Sequence, residues 1–169
     1  MIQVGSPAPD FGLEGTDGAV KLSQNKGKWT VFFFYPLDFT FVCPTEVTEF
    51  SKRIDEFKKQ NTVVWGASVD SVHSHKAWAK SLGGLQYPLL SDFNKEVGRQ
   101  YGVLLEDKGH TLRATFIIDP EGILRFMQVN DNNVGRNVGE ILRVLQALKT
   151  GELCQVEWKP GEKTLGKAK

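Results

Sequence analysis

An α/β sandwich built on a mixed sheet is the fold class this sequence predicts, and three observations carry that reading. "TVFFFY" (30–35) and "TVVWGASVD" (62–70) are short, almost unbroken apolar runs, the pattern of strands covered on both faces. Stretches with helical periodicity alternate with them. In the second half, "ATFIID" (114–119), the turn "PEG" and "ILRFMQV" (123–129) read as a hairpin, and a long helix follows.

Taken in order, the first strand leads into Cys43, Val47, Phe50, Ile54 and Phe57, spaced by four, three, four and three residues. That spacing is one helical stripe. Glu46 and Glu49 early in this helix and Lys58 and Lys59 late in it complement its dipole. After the second strand comes a helix through "SHKAWAKSL", then "YPLLSD" and a further helical stretch, "NKEVGRQYG". The closing helix, from about Val134 to Lys149, repeats Val134, Val138, Ile141, Leu142, Leu145 and Leu148. Strand–helix alternation ending in a hairpin and a helix gives a central sheet flanked by helices, and the order is that of a thioredoxin-like fold. The expected organisation is one domain over 1–150 and a polar tail over 151–169. That tail carries Cys154 and has Leu153, Val156, Trp158 and Leu165 with which to dock. Lys159, Lys163, Lys167 and Lys169 read as its solvated face.

The 169 residues are enough to bury a core, and 21 Lys and Arg against 20 Asp and Glu leave a formal charge of +1. No strong field points to nucleic acid or to an anionic membrane. "MIQVGSPAPDF" has neither the basic stretch nor the apolar region of a secretory signal, and no segment approaches the ~20 apolar residues of a membrane span. A cytoplasmic protein is expected. Of the two cysteines, Cys43 and Cys154, a reducing compartment makes a structural disulfide the poor reading. They are either inert core thiols or a redox pair.

"YPLDFTFVCPTEVTEF" (35–50) places Cys43 at the first turn of its helix, on the inward side. Free backbone N–H groups and the positive end of the dipole converge there, and both favour negative charge on sulfur. Pro44 suits the first turn, where its missing N–H costs nothing. The plain alternative is a small buried residue at the start of a core helix.

The residues around this cysteine also resemble a known family. Pro36, Thr40 and Cys43 stand at the Pro-x-x-x-Thr-x-x-Cys spacing of peroxiredoxins, and Pro44, Thr45 and Glu46 match the typical two-cysteine branch, which includes the bacterial alkyl hydroperoxide reductases. "GSPAPDF", "RATFIIDPEG", "VNDNNVGR" and "GELCQVEWKPG" resemble the same branch, in order, over nearly the whole chain. The resemblance implies a thiol peroxidase acting on hydrogen peroxide and small organic hydroperoxides, with Cys43 as the peroxidatic nucleophile that becomes a sulfenic acid. It implies Cys154 as the resolving thiol that condenses with it to a disulfide, usually with a second chain, in a homodimer or a decameric ring. By the same resemblance Thr40 and Arg113 are active-site residues, Pro36 shields the pocket, and Arg136 is a second arginine of the site. Glu46 pairs with an active-site arginine in the family; as a sequence feature it reads equally well as a first-turn acid. Arg136 reads equally well as an ordinary helix-start charge. No P-loop or dinucleotide pattern appears, so no cofactor is expected. Electrons would come from an external dithiol reductant, thioredoxin or a flavoprotein reductase system. His73 and His75, two apart, do not share a helical face; they and His110 read as ordinary polar residues rather than metal ligands. The four tryptophans read as packing residues.

Making a thiolate is not enough to explain a fast peroxidase. For any thiol, a drop in pKa from ~8.5 to about 6 raises the ionised fraction near neutrality from ~3% to ~90%, roughly thirtyfold. Nucleophilicity falls with basicity, and a slope of about 0.4–0.5 takes back about tenfold over that range. Acceleration must therefore come from donors aimed at the departing oxygen, each worth about 3–4 kcal/mol. Thr40, Arg113 and free N–H groups near Cys43 are the candidates.

The chain departs from the family in three places. Leu153-Cys154-Gln155 stands where Val-Cys-Pro is common, which loosens the tail locally. "GGLQ" (83–86) replaces Gly-Gly-Leu-Gly, and the chain ends "LGKAK" without a Tyr-Phe, so resistance to sulfinic acid formation is expected. Two other functions compete with the peroxidase reading. A thioredoxin-like disulfide oxidoreductase would need the second cysteine of Cys-x-x-Cys, which "CPTE" lacks. A holdase chaperone or peroxide-sensing relay protein, in which peroxide reduction is incidental, is separated by setting turnover with a dithiol donor against suppression of client aggregation by a Cys43→Ser variant.

Overall fold

A computed structural model describes residues 2–168; Lys169, assigned above to the solvated tail, lies outside them. Two compact units are formed, one up to Arg136 and one from Asn137 on.

In the first unit, a seven-stranded sheet takes the order β2-β1-β5-β4-β3-β8-β9. Its members are β1 (Gly12–Gly15), β2 (Val20–Lys21), β3 (Trp29–Phe34), β4 (Thr62–Ser68), β5 (Leu89–Ser91), β8 (Arg113–Ile118) and β9 (Leu124–Asn130). The central three, β3, β4 and β5, run parallel, while β8 lies antiparallel to β3 and β9 to β8. The mixed sheet follows from the connections: helical crossovers keep strands parallel, and the tight turn at Pro120–Gly122 reverses the chain. At that turn the Asp119 carboxylate accepts the backbone N–H groups of Glu121 and Ile123. A separate two-stranded ladder joins β6 (Leu104–Leu105) to β7 (His110–Thr111). The β1–β2 and β6–β7 ladders were not foreseen, since strands of two to four residues are too short to show a period.

Strand β3 is apolar apart from Thr30 because both of its faces are covered. Phe32 and Phe34 enter a cluster with Phe11, Trp65, Tyr101 and Phe116. Phe33, on the opposite face, stacks on Phe50 at 4.3 Å and 10°. Phe50 belongs to α1 (Cys43–Lys52), which is continued by α2 (Ile54–Lys59). The expected single helix is therefore broken at Arg53, where the Arg53 carbonyl accepts the Glu56 N–H in a tighter, three-residue turn. The apolar stripe survives the break, with Cys43, Val47, Phe50, Ile54 and Phe57 all buried. Helices α3 (Val72–Ser81) and α4 (Glu96–Gln100) complete the unit.

The second unit opens with α5 (Val138–Thr150). Its start corrects the expected one. Val134 obeys the spacing but is exposed, and Asn137 caps the helix by accepting the Glu140 N–H on its side chain. Gly151, with φ of 64°, ends it in the left-handed region. Beyond α5, Trp158 is buried and donates its indole N–H to the Glu162 carbonyl. Leu153, Val156 and Leu165 are exposed, as are Lys159, Lys163 and Lys167. Among the described residues, no helix is long and apolar enough to cross a membrane.

Gly66 on β4 pairs with Phe33, and a Cβ there would lie 2.7 Å from the Phe33 ring. Gly66→Ala should therefore displace the Phe33–Phe50 stack and cost about 1–3 kcal/mol, read as a lowered urea midpoint at unchanged slope.

Candidate active site

The site forms where α1 starts, against the opening residue of β8 and the loop that follows β9. Cys43 is the first residue of α1, and Pro44 follows it in the first turn. No side chain caps this helix; Val42 stands at the cap position. Pro44 has no N–H, and the Thr45 and Glu46 N–H groups turn back onto the Val42 carbonyl, which leaves the Cys43 N–H as the first-turn donor without a partner among the described residues. Cys43 is fully buried.

Arg113 opens β8 and is 4% exposed. Its Nη1 lies 3.2 Å from the Cys43 sulfur and 2.9 Å from the Glu46 carboxylate, and its Nε donates to the Asn132 carbonyl at 3.0 Å. Three partners, two on α1 and one in the loop after β9, thus fix one guanidinium. Its Nη2 has no hydrogen-bond partner among the described residues, which leaves a strong donor unspent on the guanidinium that meets the sulfur.

Arg136, in the loop after β9, is more thoroughly tied. It donates from its backbone N and from Nε to one Glu46 oxygen, and from Nη2 to the other at 3.0 Å. Nη2 also donates to the Phe34 carbonyl and Nη1 to that of Ala114, while the guanidinium carbon stands 4.9 Å over the Phe33 ring. Gly135 brings this loop close: a Cβ there would approach Val42 to 3.4 Å. Burial pushes the Glu46 carboxyl up, but the charge and hydrogen bonds of Arg136, reinforced by the charge of Arg113, outweigh it and hold the group below the usual carboxylate range. Of the two readings of Glu46, the geometry favours the pairing role: a solvated first-turn acid would not be buried between two guanidiniums.

Pro36 is buried at the end of β3, and Thr40 is half-buried. The Thr40 hydroxyl donates to the Leu37 carbonyl at 3.0 Å. Its proton is thereby engaged, and its oxygen is left as an acceptor rather than the donor that was expected. Between them Phe39 holds φ of 54°, a left-handed conformation costly for a bulky side chain.

Sequence reasoning missed the support beneath this loop. His75, read as an ordinary polar residue, is fully buried and bonded through both ring nitrogens, to Asp38 and to the Leu90 carbonyl. The "SHKAW" stretch offered one signal, a histidine three residues before the buried Trp78 on one helix face.

Cys154, in the second unit, is a half-buried free thiol. Its sulfur lies 3.6 Å from the Thr150 hydroxyl and 3.8 Å from the Ala147 carbonyl, in a cleft also lined by Arg143, Glu152 and Gln155. Among the described residues no cluster of His, Cys, Asp or Glu has the makings of a metal site.

Removing the charge of Glu46 isolates two buried guanidiniums. Glu46→Gln should cost about 3–5 kcal/mol near neutral pH. Because the folded-state carboxyl is the stronger acid, its stabilisation is complete above the ordinary value of about 4.3 and fades as pH falls through the depressed one. The gap between wild type and variant in urea midpoint should therefore close on acidification below about pH 4.

Comparison with known proteins identifies the family. The AhpC/TSA family profile matches residues 4–127. "Putative peroxiredoxin YkuU" of Bacillus subtilis is 53% identical over 175 residues, spanning 96% of this chain and 97% of the relative. "2-Cys peroxiredoxin BAS1, chloroplastic" of Hordeum vulgare is 50% identical over 177 residues, spanning 96% and 84%. The crystal structure of reduced Plasmodium vivax 2-Cys peroxiredoxin superposes with a TM-score of 0.91 at 39% identity, covering 96% of this chain and 92% of that one. The chain belongs to the AhpC/TSA family: it is a peroxiredoxin, a thiol-dependent peroxidase with a thioredoxin fold.

Proposed function

We propose that this peroxidase reduces hydrogen peroxide and small organic hydroperoxides through Cys43. The observation that carries the reading is the Arg113 guanidinium 3.2 Å from a buried sulfur, with a second donor nitrogen unspent. The Cys43 thiolate attacks the terminal oxygen of ROOH. The sulfur–oxygen bond forms as the oxygen–oxygen bond breaks, giving Cys43–SOH and RO⁻, which takes a proton to leave as water or alcohol. Negative charge grows on the departing oxygen, where Arg113 Nη2 and the Cys43 backbone N–H serve as fixed donors. Thr40, its proton engaged by Leu37, orients the peroxide by accepting its O–H. Pro36 closes the pocket from its buried position, while Glu46 and Arg136 hold Arg113 in place. Cys154 then condenses with the sulfenic acid, releasing water and forming a disulfide, and an external dithiol restores both thiols. A second copy of the chain supplies Cys154, in a homodimer able to build a decameric ring, and a reducing compartment such as the cytoplasm keeps the cycle supplied.

Cys43→Ser should abolish peroxide consumption. Arg113→Lys should lower the rate about 10²–10³-fold, because a point charge cannot reproduce a planar fork of donors. Stopped-flow rates taken where both thiols are fully ionised decide the point, and equal rates there would remove Arg113 from bond breaking. Oxidised protein should run as a covalent dimer on a non-reducing gel, and Cys154→Ser should run as a monomer.

A further inference from the structure

Asp38 lies in the loop between β3 and Cys43, and its side chain is almost wholly buried. One carboxylate oxygen accepts the Tyr35 hydroxyl at 2.8 Å; the other accepts the Ser74 hydroxyl at 2.8 Å. The His75 Nδ1 lies 2.8 and 3.1 Å from the two oxygens. The opposite ring nitrogen donates to the Leu90 carbonyl at 3.0 Å, and a carbonyl can only accept, so that nitrogen carries its proton. The Asp38 backbone N–H donates to Asp70, whose carboxylate is held in turn by the Ser68 hydroxyl. Three side chains and one backbone bond therefore converge on the residue immediately before Phe39, the loop's left-handed position. Strain of that kind persists only where the surroundings over-determine it.

None of these groups touches the sulfur, and the reaction described above uses none of them. Yet Cys43 is fully buried, and a buried sulfur cannot meet a second thiol until this loop moves. We propose that Tyr35, Asp38, Ser74 and His75 form a clamp that sets how often the Cys43 loop opens, and that Asp38 and His75 are positioning residues for the peroxidase reaction. With the clamp closed, the left-handed turn presents Thr40 and the start of α1 to peroxide. With it released, Phe39 relaxes, the donors separate and the sulfur becomes reachable by larger reagents.

The proposal rests on the peroxidase reading and makes a prediction that loss of stability alone does not. Asp38→Asn sets an amide N–H₂ against donors that now face a carboxylate, which breaks the clamp with little change of volume. In the reduced full-length protein, oxidation of Cys43 by hydrogen peroxide should slow at least tenfold. Alkylation of the same sulfur by iodoacetamide, a neutral reagent too large for the closed pocket, should speed up several-fold. Both are followed in single turnover by mass spectrometry of the Cys43 peptide. Tyr35→Phe removes one donor while keeping the ring and secures the test should Asp38→Asn fail to fold. It should move both rates the same ways, about two- to fivefold. Opposite shifts in both rates support the clamp; unchanged peroxide oxidation, or two rates that fall together, overturns it. If wild type itself fails to consume peroxide, the peroxidase reading falls instead, while the rise in alkylation still reports whether the clamp governs opening.

Discussion

The interaction on which everything else depends is the Glu46 carboxylate held between two guanidiniums. Taking an isolated charge out of water is prohibitive, and here three are taken out together. One carboxylate answers two arginines, so the cluster keeps an excess of one positive charge. The Cys43 sulfur is the nearest group able to balance it, and Arg113, the arginine with a donor to spare, is the one beside it. Placing this cluster at an uncapped helix start adds the partial charge of the dipole in the same direction. The reactivity of the site is thus a matter of charge left over after burial, and each residue is there to control where it faces.

How this assembly was legible in the sequence differs from residue to residue. Cys43, Pro36, Thr40 and Glu46 lie within eleven positions of one another, and the motif alone placed them on one loop and one helix turn. Arg113 was suggested only by the words around it, since an arginine before a strand has no periodicity of its own. The two alternatives left open for Glu46 could not be separated without knowing that residues 67 and 90 positions away fold onto it. The clamp was unreadable for the same reason. Asp38 and His75 are 37 residues apart, and polar residues paired in a core follow no pattern of spacing.

The fold itself was carried by its strongest periods. Strand β3 and the β8–β9 hairpin stood out because continuous burial and a tight turn leave plain marks on composition. The break at Arg53 was invisible because a tight turn between two helices preserved the stripe. The start of α5 was misplaced by following apolar spacing past a capping signal, Asn137 with Glu140 three residues on, which the structure uses. Spacing reports which face is buried, whereas caps report where a helix begins.

Arg136 has a consequence reaching past chemistry. Its guanidinium gathers the last carbonyl of β3 and a carbonyl at the opening of β8, and it lies over a core aromatic ring. The same side chain therefore seams two neighbouring strands and supports the acid that holds Arg113 beside Cys43. Architecture and reactivity share one joint, so drift at this position cannot alter one and spare the other.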